Sequence, residues 1–210
     1  MKNIIIISTP SGGKGTVSDY IRDKYNYDHI SVGDLLRDEV EKNSEIGRKI
    51  KRFVDNGNII GDETLFYILK NRLLKQKHNF ISDGTPRVIS QAKKYDELLN
   101  ELDIELVKVI FIKTNKTVAQ KRMKDRLVCE NCNESYSAKI DGDTCKICNK
   151  KLTKRNDDNV EVFKRRYDTF IKRTLPVVDY YAKKGLVSII ENNTSLEELT
   201  REIDEVMRGV

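Results

Sequence analysis

The sequence predicts an α/β fold: a doubly wound, five-stranded parallel sheet with a small inserted subdomain. Five short, almost continuously apolar runs suit parallel strands that are buried on both faces. Segments with helical periodicity separate these runs, as a doubly wound sheet requires. A cysteine-rich stretch without helical pattern, residues 128–154, interrupts the alternation and predicts the insert. The predicted strands are Asn3–Ser8, His29–Ser31, Phe80–Asp83, Leu106–Lys113 and Leu186–Glu191.

Helical periodicity predicts the elements that cover this sheet. The predicted helices are Gly15–Tyr25, Asp34–Lys42, Ile46–Asp55, Glu63–Gln76, Ser90–Leu102, Lys116–Arg126, Val160 to about Lys184, and Leu196–Met207. Pro176 lies inside the long helix. We expect it to kink or break that helix, because proline lacks a backbone N–H and collides with the preceding turn.

Length and charge restrict the class of protein. A chain of 210 residues fits one sizeable domain with a small insert. The only strongly apolar N-terminal run, Ile4–Ile7, is too short for a membrane span or a signal peptide, so we expect a cytoplasmic protein. The net charge of +6 fits either a solvated, lysine-rich surface or a polyanionic partner, which is nucleic acid or a small molecule that carries phosphate.

The glycine-rich segment Ser8–Thr16 lies between the first strand and the first helix. In this context backbone N–H groups and the start of a helix face an anion. The glycines let the backbone approach phosphate oxygens, and Lys14 reaches the terminal phosphates. The alternative is an ordinary strand-to-helix turn, where glycine and serine are also common.

Further motifs follow this loop in order. They are Ser31-Val-Gly-Asp-Leu-Leu-Arg37, Asp83-Gly-Thr-Pro-Arg87, Gln91-Ala92, Arg122 with Arg126, Arg155 with Asp157-Asp158, Arg166, and Asn192-Asn-Thr194. Together with the loop, they resemble the motifs of the adenylate kinases over nearly the whole chain. In that family the loop normally ends in Lys-Gly-Thr, as it does here at Lys14–Thr16. The resemblance implies a P-loop kinase that catalyses MgATP + AMP ⇌ 2 ADP and so maintains adenine nucleotide balance.

The resemblance also implies roles for single residues. ATP is bound by Ser11, Gly12, Gly13, Lys14, Gly15, Thr16, Arg122 and Arg126. AMP is bound by Val32, Arg37, Gly84, Arg87, Gln91, Arg155 and Arg166. Asp83 orients waters on Mg²⁺, and the catalytic groups are Lys14, Arg87, Arg122, Arg155 and Arg166. Such a set suits phosphoryl transfer, which needs positioning and positive charge, and arginine binds phosphate with two parallel hydrogen bonds.

Four positions depart from the family's motifs. Ser8 and Ser11 replace two loop glycines, Val32 replaces threonine, and Thr85 replaces phenylalanine. If Ser11 has a positive φ, the left-handed conformation costs roughly 1 kcal/mol or more. We expect this strain to slow catalysis without abolishing nucleotide binding.

All four cysteines lie in the insert, as Cys129-Glu-Asn-Cys132 and Cys145-Lys-Ile-Cys148. Two C-x-x-C pairs predict a structural, tetrahedral zinc site. Disulfides, a redox pair and iron on the same four ligands are the alternatives. The resemblance implies a zinc-bearing lid that closes over the triphosphate. The two histidines, His29 and His78, are expected to be isolated and structural.

The sequence therefore predicts a monomeric adenylate kinase that binds ATP, AMP and ADP, and neither nucleic acid nor a membrane. Its core comprises residues 1–127 and 155–210, with a helical monophosphate-binding segment at about 31–60, and its lid comprises 128–154. The alternatives are a uridylate/cytidylate-type kinase, to which a small apolar residue at position 32 is suited, a zinc-ribbon nucleic-acid-binding protein, and a kinase that binds nucleotides without turnover.

Overall fold

The computed structural model describes residues 1–56, 58–132, 134–138, 142–154, 158–193 and 195–210. Its strands are β1 Lys2–Ser8, β2 Asp28–Ser31, β3 Phe80–Asp83, β4 Glu105–Lys113, β5 Arg126–Val128, β6 Ser135–Ser137 and β7 Val187–Glu191. Five of them form a parallel sheet in the order β2-β3-β1-β4-β7. The predicted fold class is confirmed.

The helices follow the predicted order with small differences at their ends. They are α1 Lys14–Tyr25, α2 Val32–Glu41, α3 Glu45–Asp55, α4 Asp62–Leu73, α5 Ile89–Glu101, α6 Lys116–Asp125, α7 Val160–Thr169, α8 Leu175–Ala182 and α9 Leu196–Met207. None of these described helices is long and apolar enough to cross a membrane.

Two local predictions need correction. Arg126 does not end α6 but begins β5, the first strand of the insert. The long helix does not break at Pro176 itself, because one wide turn of π-helix, Phe170–Thr174, joins α7 to α8. Pro176 is then the second residue of α8, and the π-helical turn directly before it already interrupts the regular bonding to the residue four positions back, which proline cannot continue.

Helices cover both faces of the sheet, as the continuous apolar strands predict. Side chains of a strand alternate between faces. Ile5 and Ile7 of β1 therefore pack on one face with apolar residues of α4, α5 and α8. Ile4 and Ile6 pack on the other face with residues of α1 and α9.

The strand order brings several loops to one edge of the sheet. The chain crosses from β1 to β2, returns to β3 beside β1, and then continues on the other side of β1 with β4 and β7. All five strands are parallel, so their carboxyl ends meet at the same edge. Such a reversal of direction is where open α/β sheets bind ligands.

Helix α2 begins directly after β2, at this edge of the sheet, and packs very closely against α3. Side chains cap both helices, since Ser31 Oγ accepts from Asp34 N at 3.3 Å and Ser44 Oγ accepts from Gly47 N at 2.8 Å. A Cβ added at Gly47 would lie only 1.9 Å from the carbonyl oxygen of Glu39. The two helices can approach this closely only because residue 47 has no side chain.

We predict that Gly47→Ala lowers the free energy of unfolding by about 1–3 kcal/mol, because α3 must move away from α2 to admit the methyl group. Urea unfolding measures this loss. Gly61→Ala is the matched control, because a Cβ at Gly61 meets no atom within 4 Å in the described structure. Equal stability of the two variants would contradict the close packing.

Candidate phosphate-binding site and cysteine cluster

The loop between β1 and α1 is tightly curled. Gly13 has φ 92° and Ser11 has φ 57°, so both lie in the left-handed region. Ser11 thus meets the condition under which we expect strain, because a non-glycine residue in this region is disfavoured. A Cβ at Gly12 would lie 2.6 Å from Thr9 Oγ1 and 2.8 Å from the Thr9 carbonyl oxygen, so the loop has no room for a side chain at this position.

The start of α1 is open to an anion. The helix begins at Lys14, and no side chain in the described structure caps its first turn. The first N–H groups of a helix have no partner inside the helix and carry partial positive charge. Together with the curled loop, they form the kind of site that binds phosphate at other helix N-termini.

Lys14 and Asp83 are in direct contact. The Lys14 ammonium touches the carboxylate of Asp83, which ends the neighbouring strand β3. His29 Nε2 lies 3.4 Å from the other carboxylate oxygen. Burial by itself raises the pKa of Asp83, but Lys14 and His29 outweigh it and hold that pKa at about 2. Asp83 is therefore a buried, ionised carboxylate at the mouth of the loop.

Arg122 of α6 lies against the loop. Its Nη1 is 3.6 Å from the position of a Cβ at Gly13. Its Nη2 donates to Asn192 Oδ1 at 3.2 Å, whereas Nη1 is buried with no hydrogen-bond partner among the described residues. Burial lowers the pKa of Arg122. A buried guanidinium nitrogen without a partner fits an anion held by the loop.

Arg87 is held at three points beside the loop that follows β3. Its backbone N–H donates to Gln91 Oε1 at 2.9 Å, and its Nε donates to the Gly84 carbonyl at 2.9 Å. Its carbonyl accepts from the Thr174 hydroxyl at 3.0 Å. Thr174 belongs to the π-helical turn between α7 and α8. The π-helical turn therefore holds the backbone of Arg87, a candidate binding residue, in place.

Several arginines face the same region. Desolvation by the surrounding protein lowers the pKa of Arg87, although the residue keeps an exposed surface; Asp83 raises that pKa, and the charges of Arg166 and Arg37 lower it. Arg37 also contacts Asp34 in the same helix. An anion that binds here would interact favourably with these neighbouring positive charges. Arg155, together with Asp157 and Thr194 of the quoted motifs, lies outside the described residues.

Val32 supplies an apolar side chain where α2 meets the loop after β3. A Cβ at Gly84 would lie 3.7 Å from Val32 Cβ and 3.5 Å from Arg87 Nη2, so these three residues line one corner. Val32 is buried and belongs to the main core. The Thr85 side chain is also buried, and its hydroxyl has no partner in the part of the chain that the structure describes.

Arg126 forms an ion pair that joins the two ends of the insert. Its Nε donates to Asp158 Oδ2 at 2.7 Å, and its Nη2 contacts the other carboxylate oxygen. The Asp158 side chain is only 4% exposed. In this structure the charge of Arg126 is therefore directed at Asp158 rather than at the loop after β1.

The four cysteines converge. All four Sγ atoms lie within 4.8 Å of one another. The sulfur–sulfur distances are 3.3 Å for Cys129–Cys148, 3.5 Å for Cys132–Cys145 and 4.0 Å for Cys132–Cys148. All four thiols are free. Bonds of about 2.3 Å from a tetrahedral zinc place neighbouring sulfurs about 3.8 Å apart, so the four side chains fit this metal.

The insert around these cysteines has a small core. Strand β5 pairs with β6 in an antiparallel hairpin, and Val128 also bridges to Thr153. Leu152 and Tyr136 pack against the cysteines. Ile147 is 66% exposed and adds little to this core, and Ile140 lies outside the described residues. Few apolar side chains therefore stabilise the insert.

On sequence alone, Thr114 and Asn192 received no role at the site, although Asn192 lies in a quoted motif, and His29 was expected to be isolated. Thr114 and Asn192 both follow a strand at the carboxyl edge of the sheet and bond the carbonyl of Gly12 at 3.0 and 2.8 Å. Their position directly after predicted strands was a usable signal. The expectation that His29 is isolated is wrong, because it lies beside Asp83. No local pattern around His29 indicated this.

Comparison with known proteins gives a consistent result. The family model described as adenylate kinase matches residues 6–186. An adenylate kinase of Thermosipho melanesiensis is 34% identical over 213 residues, which cover 98% of this chain and 99% of the relative. An adenylate kinase of Acetivibrio thermocellus is 36% identical, over 99% of this chain and 98% of the relative. One of Listeria monocytogenes is 33% identical, over 97% and 98%.

We predict that Asp158→Asn lowers the free energy of unfolding by about 2 kcal/mol, because it removes a charged acceptor from the partly buried Arg126. Urea unfolding measures the loss. The control is Glu191→Gln, which removes the ion pair of Glu191 with Lys113, where both side chains are more than half exposed. An exposed pair contributes little, so we expect no measurable change. An Asp158→Asn protein as stable as wild type would show that the pair is not stabilising.

Proposed function

The chain belongs to the adenylate kinase family, and from this premise we propose that it catalyses reversible phosphoryl transfer between MgATP and AMP, with two ADP as the products. It is a nucleoside monophosphate kinase, a phosphotransferase. The observation that carries the proposal is the arrangement at the carboxyl edge of the sheet. There an uncapped helix start, the contacting pair Lys14 and Asp83, and a group of arginines share one region.

The loop after β1 is the proposed triphosphate site. The N–H groups of the loop and of the first turn of α1, from Ser11 to Thr16, donate to phosphate oxygens. Lys14 moves its ammonium from Asp83 to the terminal phosphates. Arg122 adds charge from the other side of the loop. These fixed donors stabilise the charge that spreads over the transferred phosphoryl group.

The monophosphate binds on the other side of β3 in this proposal. Arg37, Arg87 and Arg166 bind its phosphate, and the Val32 and Gly84 corner contacts its base. The side-chain oxygen of Gln91 is already bonded to the Arg87 N–H, so its nitrogen is the group that donates to the adenine ring. We retain Arg155 and Arg126 as further ligands, expected to turn toward phosphate when the lid closes.

The carboxylate of Asp83 suits Mg²⁺ bound with ATP. Magnesium neutralises phosphate charge and keeps several waters, which a nearby carboxylate orients through hydrogen bonds. Asp83 remains ionised at neutral pH because its pKa is about 2. It lies one strand away from the loop, since Asp83 pairs with Ile6 of β1. This position supports its role beside the triphosphate.

We propose zinc as the metal of the four cysteines and residues 128–154 as a lid. Thiolates bind zinc tightly, and the sulfur separations match its tetrahedral geometry. A site made only of four sulfurs leaves no open position, so the zinc is structural.

The same free thiols support a reducing, cytoplasmic location. The grouping of Arg37, Arg87 and Arg166 around one region supports a small nucleotide rather than nucleic acid as the ligand, and we propose that the protein acts as a monomer.

A coupled assay tests the proposed function. The purified protein receives MgATP with AMP, GMP, CMP or UMP in turn. We expect a clear preference for AMP, with some activity on other bases because Val32 supplies only apolar contact. Lys14→Met should retain the fold and lose roughly 10²–10³-fold in turnover. Preference for CMP or UMP would assign the chain to the uridylate/cytidylate-type activity, and normal turnover by Lys14→Met would refute the role of the loop.

The strained serine gives a second kinetic prediction. Ser11→Gly removes the cost of the left-handed conformation, roughly 1 kcal/mol, so we expect kcat to rise or the KM for ATP to fall by up to about fivefold. Ser8→Gly is the control, because Ser8 lies at the end of β1 without a positive φ. No gain for Ser11→Gly, or an equal gain for Ser8→Gly, would mean that the loop has adapted to serine.

Metal removal tests the lid. We expect about one zinc per chain by elemental analysis, and a strong chelator should raise the KM for ATP and lower the melting temperature. The insert should loosen before the core, because its few apolar side chains cannot fold it alone. Added zinc should restore both properties. A protein that contains no metal, has paired disulfides and is fully active would contradict this assignment.

A further inference from the structure

We propose that Asn192 is a positioning residue that fixes the phosphate loop and Arg122 relative to each other. This role rests on the proposed function, because it acts through groups that are assigned there to the triphosphate. Asn192 follows β7 directly and is 4% exposed. Its backbone N–H donates to the carbonyl of Lys113 in β4 at 2.9 Å, so the residue is anchored to the sheet.

The side-chain amide of Asn192 makes two contacts with different partners. Nδ2 donates to the carbonyl of Gly12 at 2.8 Å. Oδ1 accepts from Arg122 Nη2 at 3.2 Å. One small, buried group thus connects the loop after β1 with the arginine of α6.

Holding the Gly12 carbonyl also orients a donor. The peptide bond is planar and trans, so the N–H of Gly13 points away from the carbonyl of Gly12. Asn192 and Thr114 both bond that carbonyl, which directs the N–H of Gly13 the opposite way within the peptide plane. A cradle for phosphate depends on such N–H groups being oriented before the ligand arrives.

The loop is shaped around Asn192. A Cβ added at Gly13 would lie 2.2 Å from Asn192 Nδ2, closer than two atoms can approach without bonding. The amide of Asn192 occupies the space that a side chain at Gly13 would fill. A side chain at Gly13 would therefore collide with Asn192, in addition to the strain that the φ of 92° imposes on any other residue.

An amide suits this position better than a carboxylate for two reasons. A carboxylate oxygen in place of Nδ2 would repel the Gly12 carbonyl, because both atoms are acceptors. A negative charge beside Arg122 would also compete with phosphate for its guanidinium. Asn192 holds Arg122 without neutralising it, and Nη1 of the arginine keeps its unpaired donors.

The test compares Asn192→Asp with wild type and with Asn193→Asp in the full-length chain. The control makes the same change one residue away. There Asn193 Oδ1 accepts from the backbone N–H of Asn115 at 2.8 Å, a bond that aspartate retains, and the change loses only the exposed bond from Nδ2 to Glu191 Oε2. The measurements are kcat, the KM for ATP and for AMP, the Kd of a non-hydrolysable ATP analogue by calorimetry, and the melting temperature.

For Asn192→Asp we expect kcat/KM for ATP to fall about 10–100-fold and the analogue to bind more weakly, as for other residues that act by orienting a ligand-binding group. The KM for AMP should stay within about twofold of wild type, and the control should behave as wild type. If the aspartate variant does not fold, Asn192→Ala replaces it, since alanine removes both bonds without adding charge.

A merely structural role would lower the melting temperature and leave the ATP parameters unchanged at lower temperature, which would overturn the inference. Equal losses for ATP and AMP would also overturn it. A wild-type chain that binds the analogue without turnover would refute the proposed function alone, and the Kd comparison would still decide the role of Asn192. A wild-type chain that does not bind the analogue would overturn both.

Discussion

The central position of β1 between β3 and β4 determines where every group of the site lies. Because the sheet is parallel, the loop after β1 has the end of β3 on one side and the end of β4 on the other. Asp83 reaches Lys14 from the first side, and Thr114 reaches the Gly12 carbonyl from the second. The buried isoleucines of β1 hold this arrangement, since they pack against helices on both faces of the sheet.

Bringing several positive side chains close together costs free energy, and the partners of these side chains at the site offset that cost. Acidic partners hold three of the cations: Asp83 contacts Lys14, Asp34 contacts Arg37, and Asp158 pairs with Arg126. Arg122 differs, because the neutral amide of Asn192 holds it. Its charge is thus positioned without being neutralised, whereas in the proposed function the other three cations exchange a carboxylate for a phosphate. This exchange provides a physical link between nucleotide binding and movement of the segments that carry the acids.

The insert is stabilised differently from the core. The core buries whole strands between helices, whereas the described part of the insert has a short hairpin, four convergent sulfurs and three side chains packed against them, Leu127, Tyr136 and Leu152. A bound metal replaces hydrophobic burial in such a module, because forming the site and folding the chain are one event. The Arg126 and Asp158 pair joins the two ends of the insert close to the core. A segment that is held by a few strong contacts at its base is suited to move as a unit.

The sequence by itself determined the strand and helix order, the phosphate loop, the four-cysteine cluster and the family, because these depend on local pattern and on spacing along the chain. It also showed that Ser11 stands where the family has a glycine, but the positive φ of 57° at that position is known only from the structure. Only the tertiary structure decided which distant residues meet. His29 beside Asp83, Thr174 on the carbonyl of Arg87 and Asn192 between Gly12 and Arg122 come from separate elements. Their contacts depend on sheet order and helix packing, and no local pattern encodes these.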